Sequence, residues 1–216
     1  MSEHSTWVPA VPHRSEIAML GGAIVAGVAL GVVAKLMGLA GTPVVMLGQG
    51  VALWVTAGFL LARRAAKGRG FVDAVVWAGT TMAVYLSVWL LAYTAVYGLQ
   101  DPGGFGVAWL NERIFFILTP PVAAVIGSVA AISWREGPLG DMACAAPAAW
   151  ALPEAVHGVV LGWQYAAIVS LPSVLIGLVP ILARRDRQVS WVAFAVACVG
   201  GGAVALALMR VVTGRM

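Results

Sequence analysis

From Ile17 onward the chain alternates long apolar runs with short breaks that are polar or rich in glycine and proline. An α-helix needs roughly 20 apolar residues to cross the hydrocarbon core of a bilayer. In lipid, only a helix or a closed barrel satisfies its own backbone. The pattern therefore predicts an all-α polytopic membrane protein with seven transmembrane helices, at about 17–39, 43–62, 71–99, 114–134, 142–161, 165–183 and 190–212. The first sixteen residues, MSEHSTWVPAVPHRSE, are polar, contain prolines and two acids, and lack the cationic start of a signal peptide. They read as a short tail (1–16) on a single helical domain (17–213). The longest connection is QDPGGFGVAWLNER, whose last part, VAWLNER, reads as an interfacial turn before the fourth helix. A break at Gly162 to Gln164 divides the fifth helix from the sixth, and RRDRQ follows the sixth.

Composition narrows the class. Hydrophobic residues make up 61% of the 216 and charged residues 10%, with a mean hydropathy of +0.93. Ordinary soluble domains carry about 25% charged residues. Seven spans leave no room for a separate soluble domain, so whatever the protein does happens in or at the bilayer. The net charge of +4 is small and argues for no nucleic-acid partner. Cys144 and Cys198 both fall in apolar runs and form neither a zinc spacing nor a disulfide framework. Orientation follows from the cations. With the N-terminus inside, the inner segments hold nine of them: Arg14, Arg63, Arg64, Lys67, Arg69, Arg135, Arg184, Arg185 and Arg187. The outer segments hold Arg113, Arg210 and Arg215. The positive-inside rule then puts the N-terminus in and the C-terminus out.

Candidate chemistry lies in polar residues inside these runs. Glu154 and His157 sit in CAAPAAWALPEAVHGVVLGWQY, three residues apart and hence on one helical face. An acid at the bilayer centre costs roughly 2.5–3.5 kcal/mol on insertion scales, so a retained one faces a cavity or a partner. Pro153 frees a backbone carbonyl one turn earlier, and Trp150, Trp163, Gln164 and Tyr165 flank the acid. Tyr85, Trp89, Tyr93 and Tyr97 recur every four residues along the third helix. Glu112 and Arg113 open the fourth helix, Gln49 begins the second, and Lys35 ends the first. In the orientation above nearly all of these belong to the outer half, which predicts a cavity there lined by an acid, an imidazole, amides, cations and many aromatic rings. Each has a plainer reading as well. The stripe serves equally as an interfacial belt or packing, Glu112 with Arg113 as an interfacial ion pair, and Glu154 as half of a buried pair with His157, Lys35 or Gln49.

No phosphate-cradling glycine motif, magnesium-binding DDxxD, HExxH or GxSxG is present, so neither a metal nor a cofactor is expected. In a desolvated pocket a carboxyl group favours its protonated form, which would equip Glu154 as a proton donor. Aromatic faces stabilise a passing cation through their quadrupoles. A proton donor, a dry pocket and aromatic walls are what protonation-initiated cyclisation of an isoprenoid chain requires. In length, helix count, embedded acids and the lack of soluble-cyclase motifs, the chain resembles the small integral-membrane terpene cyclases of bacterial indole-sesquiterpenoid (drimentine-type) pathways. The residues themselves put forward Glu154 as the catalytic acid, with His157 and Glu112 as further catalytic candidates, and the resemblance implies a prenylated substrate such as a farnesylated indole and a bacterial cytoplasmic membrane. The chain is also similar to small membrane proteins of high-GC bacteria, a likeness that implies no activity. A proton-coupled transporter or exporter of a small hydrophobic molecule would keep the same acid and imidazole, although no internal repeat is evident. A non-catalytic assembly protein would need only the glycine-rich packing faces.

Overall fold

The computed structural model describes residues 14–41, 44–182 and 191–213. Among these the chain is helical, with no strand. The elements are α1 (Arg14–Met37), α2 (Val44–Gln49), α3 (Val51–Ala66), α4 (Phe71–Gln100), α5 (Gly104–Ile132), α6 (Pro138–Leu161), α7 (Trp163–Tyr165), a π-helical turn (Ala166–Ser170), α8 (Leu171–Leu182) and α9 (Trp191–Thr213). Six helical stretches among the described residues are long and apolar enough to cross a membrane, with α2–α3 and α7–α8 each counted as one. Several such helices make this a multi-pass membrane protein. The N-terminal residues 1–13, the RRDRQ segment and Arg215 lie outside the described residues.

Two features differ most from the sequence expectation, while smaller shifts put the end of α3 at Ala66 and the start of α6 at Pro138. VAWLNER is not a turn: it is helical from Gly104 onward, so Glu112 and Arg113 lie in the third turn of α5. The helix starts early because Asp101 Oδ1 accepts the Gly103 N–H at 2.7 Å and Gly104 takes φ +67°, a turn after which no proline occurs before Pro120. At the Pro120–Pro121 step the Thr119 hydroxyl donates to the Phe115 carbonyl, 2.9 Å away. The second expected span, in contrast, is interrupted. Gly50 is extended (φ −63°, ψ 143°) and divides α2 from α3.

Helix α3 lies at the centre. It touches α1, α4 and α5 on one side and α6 and α8 on the other, while α9 packs on α6. The core is made of small residues with a few large ones: Ala23, Ala62, Ala78, Ala123 and Ala130 surround Phe59, Met82 and Tyr85. Lipid tails are as apolar as leucine, so helices in a membrane associate through close packing and not through hydrophobic burial. Glycine sets the closest approaches. A β-carbon on Gly31 would lie 2.4 Å from the Trp89 carbonyl oxygen, joining α1 to α4. One on Gly127 would lie 2.5 Å from the Gly79 Cα, joining α5 to α4. At the Arg14 end of the bundle, buried Arg63 donates from Nη1 to the Pro180 carbonyl (3.4 Å) and stacks 4.6 Å over Trp134. Trp134 Nε1 donates in return to the Arg63 carbonyl at 2.6 Å. Beside them Arg69 pairs with Glu16 at 2.9 Å and lies 4.8 Å over Trp77.

The Gly79–Gly127 contact is asymmetric, since a β-carbon on Gly79 meets nothing within 4 Å. Gly127→Val forces the backbones of α4 and α5 apart and is expected to lower stability by about 1–3 kcal/mol. Gly79→Ala is expected to leave the thermal unfolding midpoint in detergent unchanged. Equal midpoints for the two variants would contradict this packing.

Candidate functional site

The interruption at Gly50 exposes backbone groups on both of its sides, and each finds a partner. Trp54 Nε1 donates to the Gly48 carbonyl at 2.9 Å, and the Ala52 N–H, in the first turn of α3, donates to Glu154 Oε1 at 3.0 Å. No side chain of its own caps α3. The carboxylate of α6 does so instead, where the positive end of the helix dipole favours an anion. Ser173 of α8 donates to the other oxygen, Oε2, at 3.2 Å. Glu154 thereby joins three helices. Gly50 leaves room for it: a β-carbon there would approach Oε2 to 2.8 Å, so a larger residue would shift the carboxylate.

One helical turn beyond this cap a cavity of about 440 Å³ opens between α3, α4 and α5. Trp54 and Val55 line it from α3, Leu86, Trp89, Leu90 and Tyr93 from α4, and Glu112 and Phe115 from α5. Its rings are mutually oriented. Trp89 and Tyr93 stack with centroids 5.5 Å apart, and Trp54 leans on Trp89 at 5.8 Å. Fully buried Tyr85 supports this wall from below, its hydroxyl donating to the Trp54 carbonyl at 3.1 Å. Lys35 of α1 stands at the end of the stripe, its Nζ 3.7 Å from the Tyr97 ring centre and 5.2 Å from that of Tyr93. The Asn111 amide donates to the Tyr97 hydroxyl at 3.2 Å.

The candidate residues thus divide. Glu112, Trp89 and Tyr93 share the cavity wall, and Tyr85 holds the wall in place. Glu154 lies outside the cavity lining, at the α3 cap. His157 and Gln164 are exposed, Trp163 is 78% exposed, and Tyr165 is half-buried in the short α7. Trp150 lines a separate apolar void of about 30 Å³ with Phe59, Ile126 and Pro147. Gln49 closes α2, and its side chain lies outside the described part of the molecule. Two wall residues, Trp54 and Phe115, had no distinguishing pattern in the sequence. The available signal was Gly48 and Gly50, which mark where the second span breaks and what Trp54 must satisfy. Chemically the cavity offers one carboxyl group, four aromatic faces and no second acid, within a predominantly apolar lining.

No family model matches the chain, and neither a curated protein nor a solved structure matches it.

The cap makes a graded prediction. Glu154→Ala removes both acceptors and is expected to cost about 1–3 kcal/mol. Glu154→Gln keeps an acceptor for Ala52 and a partner for Ser173, so its loss should be less than half as large. Thermal unfolding of the purified variants in detergent checks the order. A Gln variant as unstable as Ala would show that the charge, and not the hydrogen bonding, holds the junction.

Proposed function

We propose that the protein takes a small, mainly hydrophobic molecule from the bilayer into the α3–α4–α5 cavity and acts there as a protonation-initiated isoprenoid cyclase. The observation that carries this reading is that Glu112 and the rings of Trp54, Trp89, Tyr93 and Phe115 face one cavity of about 440 Å³. Small-molecule sites are typically about 300–1,000 Å³, mostly apolar, with few polar groups. Glu112, not Glu154, takes the acid's part, since both oxygens of Glu154 already accept hydrogen bonds. The protonated Glu112 carboxyl transfers its proton to a terminal alkene carbon. The O–H bond breaks, the π pair forms the new C–H bond, and a tertiary cation remains. Attack by a second alkene closes a ring and moves the cation along the chain past the aromatic faces. Loss of a neighbouring proton to the Glu112 carboxylate restores the acid, so the net reaction is an isomerisation. A prenylated indole fits the aromatic walls as substrate class.

The proposed placement is a bacterial cytoplasmic membrane, with α9 as a seventh crossing, the N-terminus inside and the C-terminus outside. The arginines of the Arg14 end support that orientation, which leaves Lys35 and Glu112 in the outer half. A transport reading is favoured by a different observation. The helix broken at Gly50 is the kind of discontinuous helix around which secondary transporters build their binding sites.

Activity and uptake measurements separate these readings. With farnesylated indole as substrate in detergent, wild type is expected to form cyclised isomers, and Glu112→Gln to lower turnover by about 10²–10⁴-fold. Trp89→Leu is expected to alter the product distribution with expression preserved. Uptake of the same compound into proteoliposomes under a pH gradient, without isomerisation, would favour transport, and full activity of the Gln variant would remove Glu112 from the mechanism.

Topology is tested by single-cysteine labelling at positions 70 and 102, with Cys144 and Cys198 replaced by alanine. The loops before and after α4 are expected to react from opposite faces, position 70 from the inside. Reaction of both from one face would overturn the crossing of α4.

A further inference from the structure

At the end of the bundle opposite the cavity, α1 and α3 diverge and leave a groove of about 610 Å³. Its floor is apolar, made by Ala18, Met19 and Gly22 of α1 and Leu61 of α3, and its rim carries Arg64 and Lys67. Arg69 also borders it, but that charge is committed to Glu16 at 2.9 Å. Arg64 and Lys67 are both exposed, Lys67 with its Nζ 5.8 Å from the Trp134 ring centre, and among the described residues neither pairs with an acid. No acid is found among the residues lining the groove. The outer face of α1 beside it is lipid-facing in character, with Ile17 62% and Val25 69% exposed.

The two halves of this groove ask for different things. A soluble anion would satisfy Arg64 and Lys67 but would leave the floor against water. A hydrocarbon chain would cover the floor but leave both cations without an anion. An anionic phospholipid does both, because a phosphate near a basic rim gains roughly 1 kcal/mol per cation and each buried methylene adds roughly 0.8 kcal/mol. We propose that the α1–α3 groove is a binding site for one anionic phospholipid, with its phosphate between Arg64 and Lys67 and an acyl chain along Ala18, Gly22 and Leu61. Placing the site at the arginine-rich end also gives those two cations a function separate from orienting the chain.

Native mass spectrometry of the full chain tests this after exchange into micelles holding equal amounts of phosphatidylglycerol and phosphatidylcholine of the same acyl chains. Wild type is expected to retain one phosphatidylglycerol in preference. Arg64→Gln and Lys67→Gln should each reduce that preference about fivefold, and Arg113→Gln, far from the groove on α5, should not change it. Gly22→Leu keeps both cations but fills the floor, where a β-carbon meets nothing within 4 Å, and should also displace the lipid. Equal retention of the two lipids, an unchanged preference in the double Gln variant, or the same loss in Arg113→Gln would overturn the site. Full retention in Gly22→Leu would overturn it too. So would displacement of phosphatidylglycerol by inorganic phosphate alone, which would show an anion site without a lipid.

Discussion

The arrangement depends on how a broken helix is satisfied where water is scarce. Each unpaired backbone group in lipid costs several kcal/mol, so a membrane helix can be interrupted only where other groups take over its hydrogen bonds. At Gly50 the Trp54 indole takes the carbonyl on one side, and the Glu154 carboxylate takes the amide on the other. Both partners are then fixed in position by the need they meet. The indole of Trp54 is held where its ring reaches Trp89, and Glu154 is held between α3, α6 and α8. A polar requirement of the backbone thus places the first aromatic wall of the cavity.

Around that junction the helices fall into two groups, joined by α3 and by the contact of α5 with α6. Helices α1, α4 and α5 approach one another through glycines and alanines, and the cavity forms where their contact gives way to large rings. Helices α6, α8 and α9 pack by the same means, with Gly177 against Ala148 and Gly201 against Ala149. Small residues bring backbones together and aromatic residues hold them apart. The cavity stays open because Tyr85 is anchored to the Trp54 carbonyl below it, and because Lys35 lies on Tyr97 and Tyr93 above it. Its carboxyl group is separate from the one that caps α3, so the chemistry and the architecture use different acids.

Much of the fold was legible from hydropathy alone, because a span of apolar residues has only helix available to it in lipid. The existence of the long helices follows from that constraint. What hydropathy could not show was the interruption at Gly50, since VVMLGQGVALW is as apolar as an unbroken span. Glu154 was legible as an acid needing a reason, but its partner is a backbone amide 102 residues away, and side-chain pattern carries no trace of such a partner. His157 shares its helical face in sequence, yet the turn beyond Ala155 faces outward and leaves the imidazole exposed. The four-residue spacing of Tyr85, Trp89 and Tyr93 was the more informative signal, because a stripe at that spacing must face one neighbour, and here that neighbour is the gap between α3 and α5.

The lengths of the helices have a mechanical consequence. Apolar side chains are exposed along α4 from Val72 to Leu99, a distance of about 40 Å at 1.5 Å per residue, against a hydrocarbon thickness of roughly 30 Å. The stretch Trp163–Leu182, with 20 residues, spans only about 30 Å by the same measure. Within one bilayer, then, α4 is matched only when it leans, whereas Trp163–Leu182 is matched when upright. The two stretches differ by about 10 Å in apolar length, so they cannot both stand along the membrane normal with their apolar ends level.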